Sequence, residues 1–228
     1  MNVLFVMDTF KDRVPPTSIM DQRKATDVFH EWAEKGKDIG MEKGHAASVD
    51  VMLNLLLDNV SMPFSAVDIG CGNGWVVRQL SSHEHCTNAS GVDGAVAMIE
   101  KANGIDPNGS YHHGQLPDWK PEQPVDLVHS MECLYYLHDP LNFLQIIHDD
   151  WMRAEGKLVI GMDHYEENPA SHDWPKSLNV HMTTLSIQAW LQGMRDAGFE
   201  NVSAIQTGAK EDWAGTLVLS GTKPQRPQ

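Results

Sequence analysis

Residues 66–75 read Ala-Val-Asp-Ile-Gly-Cys-Gly-Asn-Gly-Trp, and no other stretch restricts the fold of this chain as severely. An apolar run passes directly into Gly70, Gly72 and Gly74, and then into Val76, Val77 and Leu80 at helical spacing. Glycines at such a strand-to-helix turn permit φ > 0 and let a ligand come close to the backbone. Twenty-three residues after Gly70, Asp93 closes the next apolar run in Gly91-Val92-Asp93-Gly94. A carboxylate there can accept both hydroxyl protons of a ribose, the role of the acid after the second strand in doubly wound nucleotide-binding folds. A turn that used glycine for geometry alone would not need strand, loop, helix, strand and acid in this order. The dinucleotide fingerprint GxGxxG requires glycine at 75, where Trp75 stands, and the Walker spacing with GK[ST] is absent. The pattern present is DxGxGxG, beginning at Asp68.

From residue 66 onward, short apolar runs alternate with helical segments, the signature of a parallel sheet with crossover helices. Strands are expected near 65–69, 89–92, 110–112, 125–130 and 157–162. Between the last two, Asp139 as N-cap and Pro140 at N1 start a helix carrying Leu141, Leu144, Ile147 and Met152, with Gly156 past its end. A helix over 185–197 stops at Gly198, and strands at 202–207 and 215–221 follow, too close together for a crossover and therefore antiparallel. The fold class is α/β, a doubly wound, seven-stranded, mostly parallel Rossmann-like sheet with an antiparallel last strand. Ahead of it lie N-terminal cap helices, one near 21–40 and one carrying Val49, Met52, Leu53 and Leu56. The expected organisation is an arm over 1–20 and a single domain over 21–228, with the cap in 21–62 and the core in 63–222.

Charge narrows the partners. Lys plus Arg number 17 against 31 for Asp plus Glu, a net charge of −14 that stays negative even with all 12 histidines protonated. Nucleic-acid affinity comes largely from Lys and Arg on phosphates, so no nucleic-acid partner is expected. No run approaches the ~18 apolar residues of a membrane span, and no membrane association is expected. The start of the chain lacks the basic n-region of a secretory signal, and Cys71, Cys86 and Cys133 are odd in number without CxxC spacing. These features point to the cytoplasm, which makes the Asn-X-Ser matches at Asn59, Asn88, Asn108 and Asn201 chance occurrences.

The runs VDIGCGNG, GVDxxxxMI and DLVxSMExLYYL resemble the class I S-adenosylmethionine-dependent methyltransferases, and within them the small-molecule group. The resemblance covers about residues 40–222. It implies S-adenosyl-L-methionine as cofactor, S-adenosyl-L-homocysteine as product and a small-molecule methyl acceptor as partner. It also implies that Asp68, Gly70 and Gly72, with Cys71 and Asn73 in the same loop, surround the amino-acid end of the cofactor. Asp93 would hold the ribose, Gly94 and Met98 would flank the adenine, and Ser130 and Met131 would lie beside the methionine moiety. The family's acid after the third strand is replaced here by Gln115, followed by Leu116, and the carboxamide oxygen would take the adenine N6 protons.

Methyl transfer from a sulfonium is an in-line displacement, so a closed, water-poor cavity supplies much of the acceleration and a general base is needed only for a protonated acceptor. Ligand crevices in open parallel sheets lie at the carboxyl ends of strands. That rule directs attention to Glu132, Tyr135, Tyr136 and His138 after the fourth strand, and to Asp163, His164 and Tyr165 after the fifth. His164, Tyr135 and His45 are the catalytic candidates; Met41, Tyr136, Tyr165 and Trp174 are the substrate candidates. Gly40 to His45 reads as a glycine-bounded turn between the cap helices, and the long polar segment 163–181 as a lid or specificity wall. No metal is expected: His83-Glu84-His85-Cys86-Thr87 misses HExxH, and His112 and His113 point to opposite faces of a strand. The strand-4 exit Ser130-Met131-Glu132-Cys133 is not the [DN]PP[YF] of nucleobase amino-methyltransferases. A protein methyltransferase, a non-catalytic regulatory module that holds S-adenosylmethionine and a nicotinamide oxidoreductase stand as alternatives. The acceptor atom and the oligomeric state are left open by the sequence.

Overall fold

The computed structural model describes residues 22–225; the expected arm over 1–20 lies outside them. Seven strands form one sheet: β1 (Phe64–Ile69), β2 (Cys86–Asp93), β3 (Ser110–His113), β4 (Val125–Met131), β5 (Met152–Met162), β6 (Glu200–Thr207) and β7 (Thr216–Thr222). Their order is β3-β2-β1-β4-β5-β7-β6. The first five are parallel, and β7 runs antiparallel to both β5 and β6. The reversal of order between β1 and β4 opens the crevice that such sheets use for ligands.

Side-chain alternation divides the core in two. Val67, Val128, Leu158, Ile160, Leu217 and Leu219 face one side, under α5 (Pro140–Ile146) and α7 (Ile187–Asp196). Ala66, Leu127, Val159 and Val218 face the other, under α2 (Asp38–Leu57), α3 (Trp75–Ser81) and α4 (Val96–Ile105). Strands covered on both faces read as continuous apolar runs, which is why they stood out in the sequence.

Two boundaries differ from expectation. The helix opened by Asp139 is capped as expected, the carboxylate accepting from the Asn142 amide at 3.0 Å, but it runs out at Ile146 into one wide turn that ends at the buried Trp151. Met152 is then the first residue of β5, and Gly156 lies within that strand. It occupies a bulge where the register jumps from Val125↔Met152 to Leu127↔Lys157 and Glu155 takes φ 65°. A β-carbon at Gly156 would sit 2.9 Å from the carbonyl oxygens of Arg153 and Asp126.

In the cap, α1 (Ala25–Glu34) ends sooner than expected, and the chain turns at Gly36, φ 69°. Residues 40–45 are therefore inside α2 and do not form the inter-helix turn. The cause is Asp38, 4% exposed, which pairs with Lys101 of α4 and accepts from Asn73 Nδ2 at 3.1 Å, fixing the first turn of α2. Burial alone would raise this carboxyl; Lys101 and Asn73 outweigh it and hold its pKa below the usual range.

Gly74 forms the N-cap of α3 with φ 80°, and a β-carbon there would stand 2.3 Å from the Tyr111 ring. That ring cannot swing freely, because its hydroxyl donates to Asp106 at 3.0 Å. Gly74→Ala is expected to cost about 2–4 kcal/mol from backbone strain and overpacking together. Urea unfolding measures this directly, and a variant of wild-type stability would remove the packing role.

Candidate active site

A cavity of about 370 Å³ lies over the carboxyl ends of β1, β2 and β4 and beneath α1 and α2. At its floor Gly72 takes φ 53° and donates its amide to Asp93 Oδ2 at 2.9 Å, while Ala95 donates to Oδ1 at 2.7 Å. Each carboxylate oxygen of Asp93 thus keeps a lone pair for a ligand. Burial pushes the Asp93 carboxyl up, against those two amides, with the charge of Asp68 adding to the rise. Asp68 accepts or shares a hydrogen bond with His129 Nδ1 at 2.7 Å, and His129 is fully buried with no partner on Nε2. A histidine inside an apolar strand carries no local sequence signal, so His129 comes to light only in the folded protein.

Most of the expected cofactor residues converge. Asp68, Gly70, Cys71, Gly72, Asn73, Asp93, Gly94, Met98, Gln115, Leu116 and Met131 all line the cavity. Gln115 donates its amide to the Gly94 carbonyl at 3.0 Å, which leaves its oxygen as an acceptor. The Cys71 side chain is buried against Gly91, where a β-carbon would stand 2.6 Å from it. Ser130 is a correction: it is fully buried away from the cavity, donating to the Ile69 carbonyl at 3.0 Å.

The acceptor side departs further. His45, Met41 and Tyr136 line the cavity, with Tyr136 edge-on to Phe29 at 5.4 Å. Tyr135 does not: it is buried, and its hydroxyl donates to Glu132 Oε2 at 2.8 Å. His164 is fully buried, with Nδ1 on the Ser171 carbonyl at 3.1 Å and Nε2 on Thr184 Oγ1 at 2.8 Å, so neither nitrogen is free for a substrate. Burial lowers its pKa. Tyr165 is equally enclosed, donating to the Gly215 carbonyl at 2.9 Å, and Trp174 stacks between His164 and Trp213. These four assignments are withdrawn as direct contacts.

For His164, Tyr165 and Trp174 the common cause is the segment 163–181 to which they belong. It packs as a unit, a single turn at Pro169–Ser171 followed by α6 (Trp174–Leu178), around the fully buried Asn168 and Ser171. Asn168 Nδ2 donates to the Asp163 carbonyl at 2.7 Å, and Ser171 Oγ to the Asn168 carbonyl at 2.8 Å. Its polarity serves its own backbone, so it is not a free-standing lid. Its far end bridges Val180 to Arg23 and sets His181 beside His138, with rings 3.9 Å apart, on the cavity rim.

Glu132 is the residue that sequence reasoning placed but gave no role. It adopts φ 54°, donates its amide to the Gly161 carbonyl at 2.9 Å, and accepts from the Asp163 amide on Oε1 and from Tyr135 on Oε2. A non-glycine residue held in this region is strained and persists where its surroundings over-determine it, a situation concentrated at functional sites. Burial, then the charge of Asp163, pushes its carboxyl to about 8. Across the cavity wall, His45 Nε2 lies 3.6 Å from Asp163 Oδ2. Burial draws the His45 pKa down, but Asp163 and the charge of Glu132 outweigh it and raise it. His45, Glu132 and Asp163 offer one ligand atom each within 4.8 Å, the single grouping of that kind among the described residues. With both Glu132 oxygens engaged, the trio resembles a proton-sharing cluster more than a metal cage.

A methyltransferase-domain family model matches residues 21–204, and the chain belongs to that family, the class I S-adenosylmethionine-dependent methyltransferases. S-adenosylmethionine is the cofactor, and the expected cofactor residues that line the cavity include Asp93, each of whose oxygens keeps a free lone pair. The trans-aconitate 2-methyltransferase of Escherichia coli is 24% identical over 159 residues, 69% of this chain and 57% of its own length. The chain thus spans little more than half the length of the curated relatives it matches. The partner of the Trm112 methyltransferase activator in a Haloferax volcanii complex is 27% identical, with TM-score 0.75 over 86% of this chain and 98% of that one. The Burkholderia thailandensis 1,6-didemethyltoxoflavin-N1-methyltransferase shares the fold, at 16% identity and TM-score 0.67 over 88% and 87% of the two chains.

The folded protein keeps the Glu132 proton up to about 8, whereas an unfolded chain releases it near 4.5. The folded state therefore binds more protons in that window, and stability falls as pH rises through it. His45 acts in the same direction: its contribution is full below 6.5 and is lost as pH climbs through its raised folded value. Tm is expected to fall from about pH 5 to about pH 8 and the fall to flatten in Glu132→Gln. A variant with the wild-type slope would contradict the assignment.

Proposed function

We propose that this chain transfers the methyl group of S-adenosylmethionine to a small-molecule acceptor held at the carboxyl ends of β4 and β5, under α2. The observation that carries the reading is one continuous cavity, bounded by Asp68, Gly72 and Asp93 at one end and by His45, Glu132 and Tyr136 at the other. Its ~370 Å³ falls near the lower end of small-molecule sites. The cofactor supplies a methyl group made electrophilic by its sulfonium. Asp93 orients the donor, and Met41, Met131 and Tyr136 present a largely apolar wall that limits water around the reacting carbon. The acceptors named for trans-aconitate and didemethyltoxoflavin methyltransferases are small molecules, which supports the same class here. No helix among the described residues is long and apolar enough to cross a membrane.

A second reading adds a partner. The Haloferax volcanii relative is bound to an activator protein, so this chain would reach full activity in a comparable complex. Purified chain incubated with S-adenosylmethionine and a low-molecular-weight cell extract is expected to form S-adenosylhomocysteine. Turnover that needs added cell protein favours the activator, methylated polypeptide favours a protein acceptor, and donor binding without turnover favours a regulatory module.

Asp93→Ala is expected to weaken donor binding about 100-fold, the loss of hydrogen bonds to a charged group worth ~1.5–3 kcal/mol each. It should also lower Tm modestly, because the Gly72 and Ala95 amides lose their acceptor. Calorimetric affinity equal to wild type would remove Asp93 from the donor site.

A further inference from the structure

β4 carries one polar side chain that its face of the sheet does not require. His129 pairs in register with Asp68 of β1 and shares its face with Leu127 and Met131, which pack into the core beneath α2 and α3. The imidazole is fully buried, with Nδ1 2.7 Å from Asp68 Oδ1 and no partner on Nε2. Buried polar atoms ordinarily find partners, and one left alone is unfavourable. An apolar residue would fill the position without that cost, so the contact with Asp68 is what a histidine adds there. A carboxylate only accepts, so the bond places a proton on Nδ1 in either charge state of the ring. Asp68 in turn has no other hydrogen-bond partner among the described residues. The titratable groups that sense its charge are Asp93, Cys71 and Cys133, none of them a cation. His129 is therefore the one donor that fixes the Asp68 side chain, and that side chain lines the cavity with Gly70 and Gly72.

We propose that His129 is a positioning residue of the donor site: it holds the Asp68 carboxylate in one orientation, with Oδ1 on the imidazole and Oδ2 left for a cationic group of the bound donor. His129 has no exposed surface to offer a ligand and acts through Asp68. S-adenosylmethionine carries two cationic groups, an α-ammonium and a sulfonium. The ammonium has N–H bonds to donate and the sulfonium has none, so a carboxylate with open lone pairs suits the amino-acid end. A carboxylate already held in place loses little rotational freedom when that group arrives, and the saving appears as affinity. The inference rests on the cavity being the donor site and is independent of what accepts the methyl group.

The test is calorimetric and needs no acceptor. The purified chain is titrated with S-adenosylmethionine and with 5′-methylthioadenosine, which lacks the amino-acid end. His129→Leu is expected to weaken S-adenosylmethionine binding about tenfold, the loss of one hydrogen bond to a charged group, and to leave methylthioadenosine binding unchanged. His129→Phe, closer in shape, replaces it if the leucine variant does not fold. His129→Asn, whose amide nitrogen is also bonded to Cγ, should restore affinity to within about twofold of wild type. Asp68→Asn should weaken the donor in the wild-type background and add little on top of His129→Leu, because the two residues act as one unit. Equal loss of both ligands makes His129 a structural support of the glycine loop, and unchanged affinity or strictly additive losses separate it from Asp68; each overturns the inference and leaves the donor site standing. A wild-type chain that bound no S-adenosylmethionine would overturn the reading of the cavity itself, and the inference with it.

Discussion

Everything the cap does for the cavity depends on one buried ion pair. Asp38 is nearly inaccessible, and it meets Lys101 from α4 and Asn73 from the glycine loop. Removing either partner would strand a charge in a low-dielectric setting, which makes the position of α2 strongly specified even though such pairs add little net stability. Asp38, Met41, Glu42 and His45 follow at i, i+3, i+4 and i+7, and all four line the cavity. Glu42 reinforces the anchor by accepting from the same Asn73 amide at 3.2 Å. Fixing the first turn of the helix therefore fixes where its third turn holds an imidazole.

The donor and acceptor ends use buried carboxylates for opposite purposes. Asp93 is held by two backbone amides that counter part of its burial, and each of its oxygens keeps a lone pair for a ribose. Glu132 has a similar burial, but its neighbour is another acid, and its proton is retained. The first is a rigid acceptor; the second keeps the acceptor end from carrying two like charges at once.

The sheet was legible because strands covered on both faces are uninterrupted apolar runs and because glycines mark their ends. The donor half of the site was legible for a related reason: Asp68 to Asn73 and Asp93 to Met98 are local in sequence, so chain order already implies proximity. The acceptor half is assembled from α2, β4 and β5, with His45, Glu132 and Asp163 separated by 87 and 31 residues in turn, and no short pattern announces such a meeting. Polar residues just past a strand end were the misleading signal. His164, Tyr165 and Ser130 lie where active-site groups lie, yet each is consumed by a nearby carbonyl or hydroxyl. Exposure and partner atoms separate the two cases, and neither can be read from residue identity. The cap was misjudged because Gly40 and Gly44 suggested a turn, whereas both are exposed on α2 and the tertiary anchor at Asp38 outweighs their weak helix propensity.

The contact between Gly91 and Cys71 has an evolutionary consequence. Gly91 sits in β2 with ordinary strand geometry, and what forbids a side chain there is the Cys71 thiol across the way, along with Val77 Cγ2 at 2.8 Å. The constraint is on shared volume and not on backbone angle. In descendants of this sequence the two positions should drift as a pair, a larger residue at 91 tolerated where 71 has shrunk to glycine. Position 74 has less freedom, because its left-handed φ would strain a side chain even where the Tyr111 ring had receded. Glycines that look equivalent in a one-line motif would then diverge at different rates, and the variable one would lie outside the loop by which the motif is recognised.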